Sequence, residues 1–476
     1  MVTITMTNNN RYSLDGSQKA LIKIYKKYKI KHPQAFFLRR SGNVQKGWDG
    51  CIDYVSETGN FNSGFLPGIY QELIDMGQKV EIIDKRFDFK VKPKMPKMIG
   101  DNKPRGYQKR AIESIIFNEI GGVSYPIGVE DVATNGGKTT LMAGIFLAYK
   151  RKVPAIILIK DSDLFDQMKR ELPLLIPKED LGFIRGKEIN FNLCTVAMVQ
   201  TLSPKVSYFK NQLAKFGICL VDEADEGESK TYKTIIRALF NTFVRVGLSG
   251  TIYQSKLKKH ESKNMNLRSF FGDVVFKITK KEMVELGHST KPVIRMYPGN
   301  EHIRIKGDYA LEYKQGITLN KDRIRKGIKR SRYNFKLGRN KQLIVFKYEE
   351  HGELLYKMFK KELGNKYKIA WVHHKTKNRK QILLDFRDGK IDILIASFIV
   401  KRGKNFPLIN YIQNQAGSDS QSTISQLMGR GERKDDSKKK FNMDDFFDQG
   451  HYLMRHSKHR LTYYKAEGFT VYEKYK

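Results

Sequence analysis

The sequence predicts an α/β chain in which a small α+β module precedes two doubly wound parallel-sheet domains. Three observations predict it. The 476 residues allow about three domains of ordinary size. Short, uninterrupted apolar runs alternate with helical stretches in two successive zones, as expected of strands buried on both faces of a parallel sheet. The N-terminal zone has another style, basic and aromatic, and ends in a proline- and lysine-rich stretch, Lys90–Met98, that reads as a linker. These shifts set three segments: an N-terminal domain over 1–98, then α/β domains over 99–290 and 291–476.

Within the first segment, Lys23 to Arg40 is dense in basic and aromatic residues. Gly47-Trp48-Asp49-Gly50 follows, then an expected helix from Pro67 to Met76. The second segment offers Ala155–Ile159, Ile218–Val221 and Val244–Leu248 as strands. The third offers Gln342–Phe346, Ile369–Val372 and Ile391–Ala396, with a Lys/Arg-dense region from Lys321 to Lys341.

A hydrophobic fraction of 40% supports packed cores and excludes global disorder. The formal charge of +38, from 88 Lys plus Arg against 50 Asp plus Glu, attracts polyanions, and the natural one is a phosphate backbone. Cys51, Cys194 and Cys219 fit neither a zinc spacing nor a disulfide framework, so they are expected to be reduced and structural. No apolar run is long enough to cross a bilayer, and the start MVTITMTNNN lacks the order of a signal peptide. The expected setting is cytoplasmic, with no membrane partner.

Two motifs carry chemistry. Thr134-Asn135-Gly136-Gly137-Lys138-Thr139 follows a candidate strand and precedes a helical stretch, Thr140 to Lys150. Small residues there let backbone N–H groups curl around phosphate oxygens, and a helix N-terminus favours the anion. Lys138 would reach the β/γ phosphates and the Thr139 hydroxyl would bind Mg²⁺. Asn135 stands where such loops carry glycine, and asparagine tolerates positive φ. Downstream, the apolar run Ile218–Val221 ends in Asp222-Glu223-Ala224-Asp225. Carboxylates at the C-terminal end of such a strand stand where parallel sheets bind ligands. Asp222 would hold Mg²⁺ and Glu223 would polarise an attacking water.

Together these motifs resemble superfamily 2 helicases, and further segments match that family in order. Arg105-Gly106-Tyr107-Gln108 resembles the adenine-reading segment, with Gln108 as reader. Leu158-Ile159-Lys160 and Thr195–Leu202, the latter carrying Gln200 and Thr201, resemble the turns that touch the nucleic-acid backbone. Ser249-Gly250-Thr251 resembles the coupling motif between the ATP and nucleic-acid sites. Leu343–Phe346 is similar to motif IV, with Ser397 among the implied nucleic-acid contacts, and Gly403-Lys404-Asn405-Phe406-Pro407 to motif V, where Asn405 replaces the usual Asp. Gln426-Leu427-Met428-Gly429-Arg430-Gly431-Glu432-Arg433 is similar to motif VI. The resemblance implies two RecA-like domains, ATP with Mg²⁺, and an ATP site completed by Thr140, Gly403 and Gln426. It also implies Arg430 and Arg433 as fingers on the γ-phosphate, a role suited to the planar guanidinium.

The tetrad spells DEAD, but the other motifs look like the DNA-directed branch. Gly47–Gly50, then Gly64-Phe65-Leu66-Pro67-Gly68 and a helix, is similar to the small N-terminal domain of phage branch-migration helicases of the UvsW type. Phe441 to Gly468 looks like the close of that family's second domain, with Ser457 and Arg460 before a Tyr-rich helix. The resemblance implies a DNA helicase acting on forks and Holliday-type junctions in recombination, repair and replication. An RNA helicase, the motor of a restriction or nuclease system, and a binding module with a dead ATP site are the rival readings.

Read from residues alone, Lys23 to Tyr28 has two meanings. Lys27 and its neighbours could meet phosphates while tyrosines stack on bases. Alternatively Leu21, Ile24, Tyr25 and Tyr28 form the buried stripe of an amphipathic helix. Trp48 reads likewise as a junction wedge or as core, and Arg40 as a further phosphate contact.

Overall fold

The structure is a computed structural model that describes all residues except 43, 45–46, 134–135, 227–229, 251, 253–260, 300–307, 398–408, 420–423, 425–439 and 476. The chain divides into two compact units, Met1–Val132 with Gly137–Lys277, and Ala133–Gly136 with Ile278–Lys476.

The first unit holds two main sheets. The smaller is built from β1 (Val2–Met6), β2 (Arg11–Gly16), β5 (Asn60–Asn62) and β6 (Val80–Asp84), in the order β5-β2-β1-β6, with a side ladder of β3 (Lys29–Lys31) and β4 (Cys51–Asp53). In β1, Val2, Ile4 and Met6 are buried and the threonines between them are not, the period-2 signature of a half-covered strand. The helices Gln18–Lys27 and Leu66–Asp75 contribute Ala20, Ile24, Ile69 and Leu73 to the same core. Ile24 and Tyr28 are therefore core residues, and the lysines between them form the solvated face.

The larger sheet follows β7 (Glu119–Ile120) and β8 (Val123–Ser124), a separate two-stranded ladder. Its strands are β9 (Ile127–Val132), β10 (Ala155–Ile159), β11 (Leu181–Arg185), β12 (Glu188–Ile189), β13 (Cys194–Met198), β14 (Ile218–Asp222), β15 (Val244–Ser249) and β16 (Val274–Ile278), in the order β12-β11-β13-β10-β14-β15-β9-β16. From β11 to β9 every pairing is parallel. Strands β10, β13, β14 and β15 are buried along their whole length, which is why they appear in the sequence as unbroken apolar runs. Cys194 and Cys219 are free thiols inside this sheet.

The two sheets share one core. Tyr125 and Ile127 pack with the residues of the smaller sheet. A Cβ on Gly64 would fall 2.0 Å from Arg268 O and 2.8 Å from Gly272 N, so the segment Ser63–Phe65 lies directly on the helix Glu261–Phe271 and only glycine fits there. The buried Arg245, on β15, donates to Asn9 O at 2.6 Å, Asn10 Oδ1 at 2.7 Å, Phe270 O at 3.1 Å and Ser63 Oγ at 3.2 Å.

The second unit is built on β17 (Lys291–Pro298), β18 (Gln342–Phe346), β19 (Ile369–Val372), β20 (Ile393–Ser397), β21 (Tyr411–Asn414), β22 (Lys440–Phe447) and β23 (Thr470–Glu473). Their order is β19-β20-β18-β21-β22-β17-β23, with every pairing parallel. The Lys/Arg-dense region forms the helix Lys321–Lys336, whose Gly327 lies close under Gln413 and Gln415 of β21 and its continuation. Ser457 and Arg460, expected ahead of a helix, lie inside the helix His451–Ala466. Arg460 Nε is 2.9 Å from Asp445 Oδ2, and Arg323 Nε is 2.8 Å from Asp448 Oδ1, both pairs fully buried. Each unit carries the RecA-like arrangement, a mainly parallel sheet flanked by helices. Among the described residues no helix is long and apolar enough to cross a membrane.

Candidate functional site

Strands β9, β10, β13, β14 and β15 run parallel and end on one edge of the first unit's larger sheet. The segments singled out by sequence leave from those ends, where loops of open α/β sheets converge.

After β9, Gly136 N donates to Ala133 O at 2.9 Å and Gly137 takes φ +75° just before the helix Lys138–Ala148. A Cβ on Gly137 would stand 2.8 Å from Gln108 Nε2 in a backbone region that favours glycine. Gln108, the expected adenine reader, therefore lies against the loop. Its Oε1 accepts from Arg105 N at 2.9 Å, which holds it at the start of the helix Gly106–Ile116. Thr140 is also close, with Oγ1 3.6 Å from the same notional Cβ.

Lys138 Nζ lies 3.7 Å from Asp222 Oδ1 and 3.6 Å from Glu223 Oε1. Burial pulls the Lys138 ammonium down, but the carboxylates of Glu223, Asp222 and Asp225 outweigh it and keep the ammonium above its ordinary pKa. The same burial pushes the Asp222 carboxyl up against the opposing pull of Lys138. Glu223 N donates to Asp222 Oδ1 at 2.9 Å. Glu223 itself adopts φ +54°, a conformation uncommon for a residue with a Cβ, of the kind that clusters at functional sites. One turn on, Ser249 Oγ donates to Asp225 Oδ1 at 2.9 Å and joins the end of β15 to the end of β14.

Thr139 Oγ1 donates to Glu171 Oε2 at 3.2 Å. A hydroxyl that gives its proton to a carboxylate still presents lone pairs. Together with Asp222 it forms an oxygen-only donor set, which suits a hard cation such as Mg²⁺. Sequence reading missed Glu171, because its contact depends on how the helix Ser162–Glu171 packs.

Glu130 on β9 was also missed. Val129 points into one face's core, so Glu130 turns to the other, fully buried and without a hydrogen-bond partner for either carboxylate oxygen among the described residues. Desolvation pushes its carboxyl up to about 8. Its folded pKa thus exceeds its unfolded one, so the folded state holds the proton more tightly. Stability should be full below about pH 4.5 and fall as pH rises toward 8, by on the order of 5 kcal/mol. In urea unfolding followed from pH 5 to 8, Glu130→Gln should flatten that fall. An unchanged slope would show that Glu130 ionises freely.

The backbone-contact candidates also meet. Gln200 Nε2 donates to Lys160 O at 2.8 Å, and Thr201 Oγ1 accepts from Gly186 N at 3.0 Å. Lys160 and Gln200 are exposed at the ends of β10 and β13. Ser397 ends β20 in the second unit. Lys27 is paired with Glu72. Arg40 is exposed at the end of the helix Ala35–Arg40, and Trp48 is half-buried. Thr134, Asn135, Thr251, Gly403, Asn405, Gln426, Arg430 and Arg433 lie outside the described residues.

Comparison with known proteins gives a consistent result. The family model for the Type III restriction enzyme res subunit matches residues 101–254, and that for the helicase conserved C-terminal domain matches residues 328–435. The chain is 23% identical over 468 residues to the ATP-dependent DNA helicase UvsW of Enterobacteria phage T4, covering 89% of each. Among solved structures, the ATP-dependent Type ISP restriction-modification enzyme LlaBIII bound to DNA is similar at TM-score 0.55 and 16% identity, over 83% of this chain and 32% of that one. S. cerevisiae Dbp5 bound to RNA is similar at TM-score 0.51 and 17% identity, over 79% of this chain and 91% of that one. At these identities the structural likenesses establish the fold alone.

Proposed function

Because this chain is an ATP-hydrolysing helicase of superfamily 2, we propose that its track is DNA and that its preferred substrate is branched: replication forks and Holliday-type junctions met in recombination, repair and replication. The observation that carries this reading is the shared sheet edge. It sets the Lys138–Asp222–Glu223 cluster beside the exposed Lys160–Gln200 pair. The two-way coverage of a relative named a DNA helicase supports DNA over RNA.

In this reading Lys138 grips the β/γ phosphates and Gln108 reads adenine. Thr139 and Asp222 hold Mg²⁺, which when bound offsets phosphate charge. Glu223 orients and polarises the attacking water, its backbone already fixed for the task. Arg430 and Arg433 act on the γ-phosphate. The Asp225–Ser249 hydrogen bond makes the acid box move with β15, so nucleotide state is felt along that strand. Residues 1–98 hold the branch. Backbone contacts read no base edges, so binding is largely insensitive to sequence.

The test is steady-state ATPase without nucleic acid, then with single-stranded, forked and four-way DNA and with RNA, using Lys138→Ala as the blank. Greatest stimulation by branched DNA is the expected result. Preferential stimulation by RNA would overturn the substrate, and silence with every nucleic acid would favour a dead site. Affinity for DNA should also fall by roughly 10³-fold between 50 and 200 mM salt. A flat salt response would rule out backbone tracking.

A further inference from the structure

On the N-terminal module, the helix Ala35–Arg40 buries Ala35 but leaves Phe36 and Phe37 69% and 70% exposed. Their rings lie edge to face, with centroids 5.6 Å apart. Water penalises two adjacent bare phenyl rings, so a surface that keeps them invites an apolar, flat occupant. The surroundings limit what that occupant can be. From Gly16 to Trp48 the chain has nine Lys or Arg residues and no Asp or Glu. Two of the nine, Lys27 and Lys29, are matched by Glu72 and Asp49 from outside the stretch. Lys31 and Arg40 are exposed, five residues before Phe36 and three after Phe37 in the chain. Lysine is depleted at protein–protein interfaces, whereas basic side chains interleaved with aromatic rings suit a phosphate backbone with bases to stack.

Trp48, the aromatic singled out by sequence, has another task. Its Nε1 donates to Cys51 O at 2.9 Å, its ring packs edge-on against His32, and Arg39 Nη2 donates to its carbonyl at 3.3 Å. It braces the loop behind the helix, and the free rings are Phe36 and Phe37.

We propose that Phe36 and Phe37 form a stacking platform for unpaired bases at the branch point, an inference that rests on the nucleic-acid reading above. A phenyl ring has no hydrogen-bonding group, so the platform tolerates any base. A closed duplex offers no open base face except at its ends, so the platform distinguishes a fork from continuous duplex while the lysines bind both.

The experiment uses the full chain with Phe36→Ala/Phe37→Ala and with Phe37→Trp. Binding is measured at fixed salt to a hairpin-capped duplex and to a fork with unpaired arms. Both positions are exposed, so the fold should be retained, checked by thermal melting. The double alanine variant should lose about tenfold or more in affinity for the fork, with duplex affinity unchanged. Phe37→Trp, which keeps an aromatic ring at the position, should retain fork binding, and its fluorescence should be quenched by the fork alone. Equal loss on both DNAs, or no loss, would overturn the platform. So would a change in self-association by sedimentation, which would mark the rings as a protein contact. If the wild-type chain binds neither DNA, the DNA reading itself fails. If it binds forks and the double alanine variant binds them as well as the wild type does, only the platform fails.

Discussion

Lys138→Ala is expected to abolish ATP hydrolysis while leaving DNA binding largely intact. The lysine is the cation held between Asp222 and Glu223 at the start of the helix Lys138–Ala148. Its removal deletes the charge that would meet the β/γ phosphates and leaves two carboxylates facing each other, a poor place for a triphosphate. Loss of a preorganised charge of this kind commonly costs about 10² to 10³ in rate, so residual activity of roughly one part in a hundred to one part in a thousand is the most that is expected. The proposed DNA contacts, Lys160 and Gln200, lie just past the ends of the neighbouring strands β10 and β13 and should keep their backbone positions. Parallel measurements of turnover and DNA affinity decide the matter. Retained ATPase would remove Lys138 from the site, and joint loss of both with a lowered melting temperature would reassign it to structure.

Arg245→Met is expected to lower stability by on the order of 3 kcal/mol and to weaken the coupling between DNA binding and hydrolysis. The guanidinium is buried deeply enough that desolvation pulls its pKa below the ordinary value. It persists there because four acceptors surround it. Methionine keeps much of the volume and strands those acceptors, each of which then costs about 1–3 kcal/mol if no relaxation occurs. Arg245 is also four residues before Ser249 on β15, the strand tied to Asp225. A loosened β15 should leave basal ATPase less affected than the stimulation that DNA provides. Chemical denaturation reads the first effect, and the ratio of stimulated to basal turnover reads the second. An unchanged ratio would confine Arg245 to a structural role.

How much of this was legible depends on what each residue senses. Ala155–Ile159, Gln342–Phe346 and Ile369–Val372 form strands with the bounds expected of them, because a strand enclosed in a parallel sheet is apolar over its own length and no further. The strand expected from Ile391 begins at Ile393, since Asp392 turns outward to accept from Lys368 N at 2.9 Å. The phosphate-loop helix starts at Lys138 rather than Thr140, because the left-handed Gly137 ends the loop sooner than composition implies. The Lys138–Asp222–Glu223 cluster was readable from motif order alone. Arg245 and Glu130 were not. Each sits inside an apolar run where a charged residue suggests a solvent face, and what keeps it buried is a sheet interior or a partner more than 230 residues away in the chain. Phe36 and Phe37 were not legible either, since two phenylalanines in sequence suggest core and both are exposed.

The joint between the two sheets of the first unit also decides how this protein can be dissected. A shortened chain starting near residue 99 would expose Tyr125 and Ile127, uncover the backbone that Gly64 now abuts, and strip Arg245 of Asn9, Asn10 and Ser63. Such a fragment would be expected to aggregate or melt, and its inactivity would say nothing about whether the missing residues grip DNA. The N-terminal module has to be interrogated in place, by single exposed side chains, in a protein that keeps its whole first hundred residues.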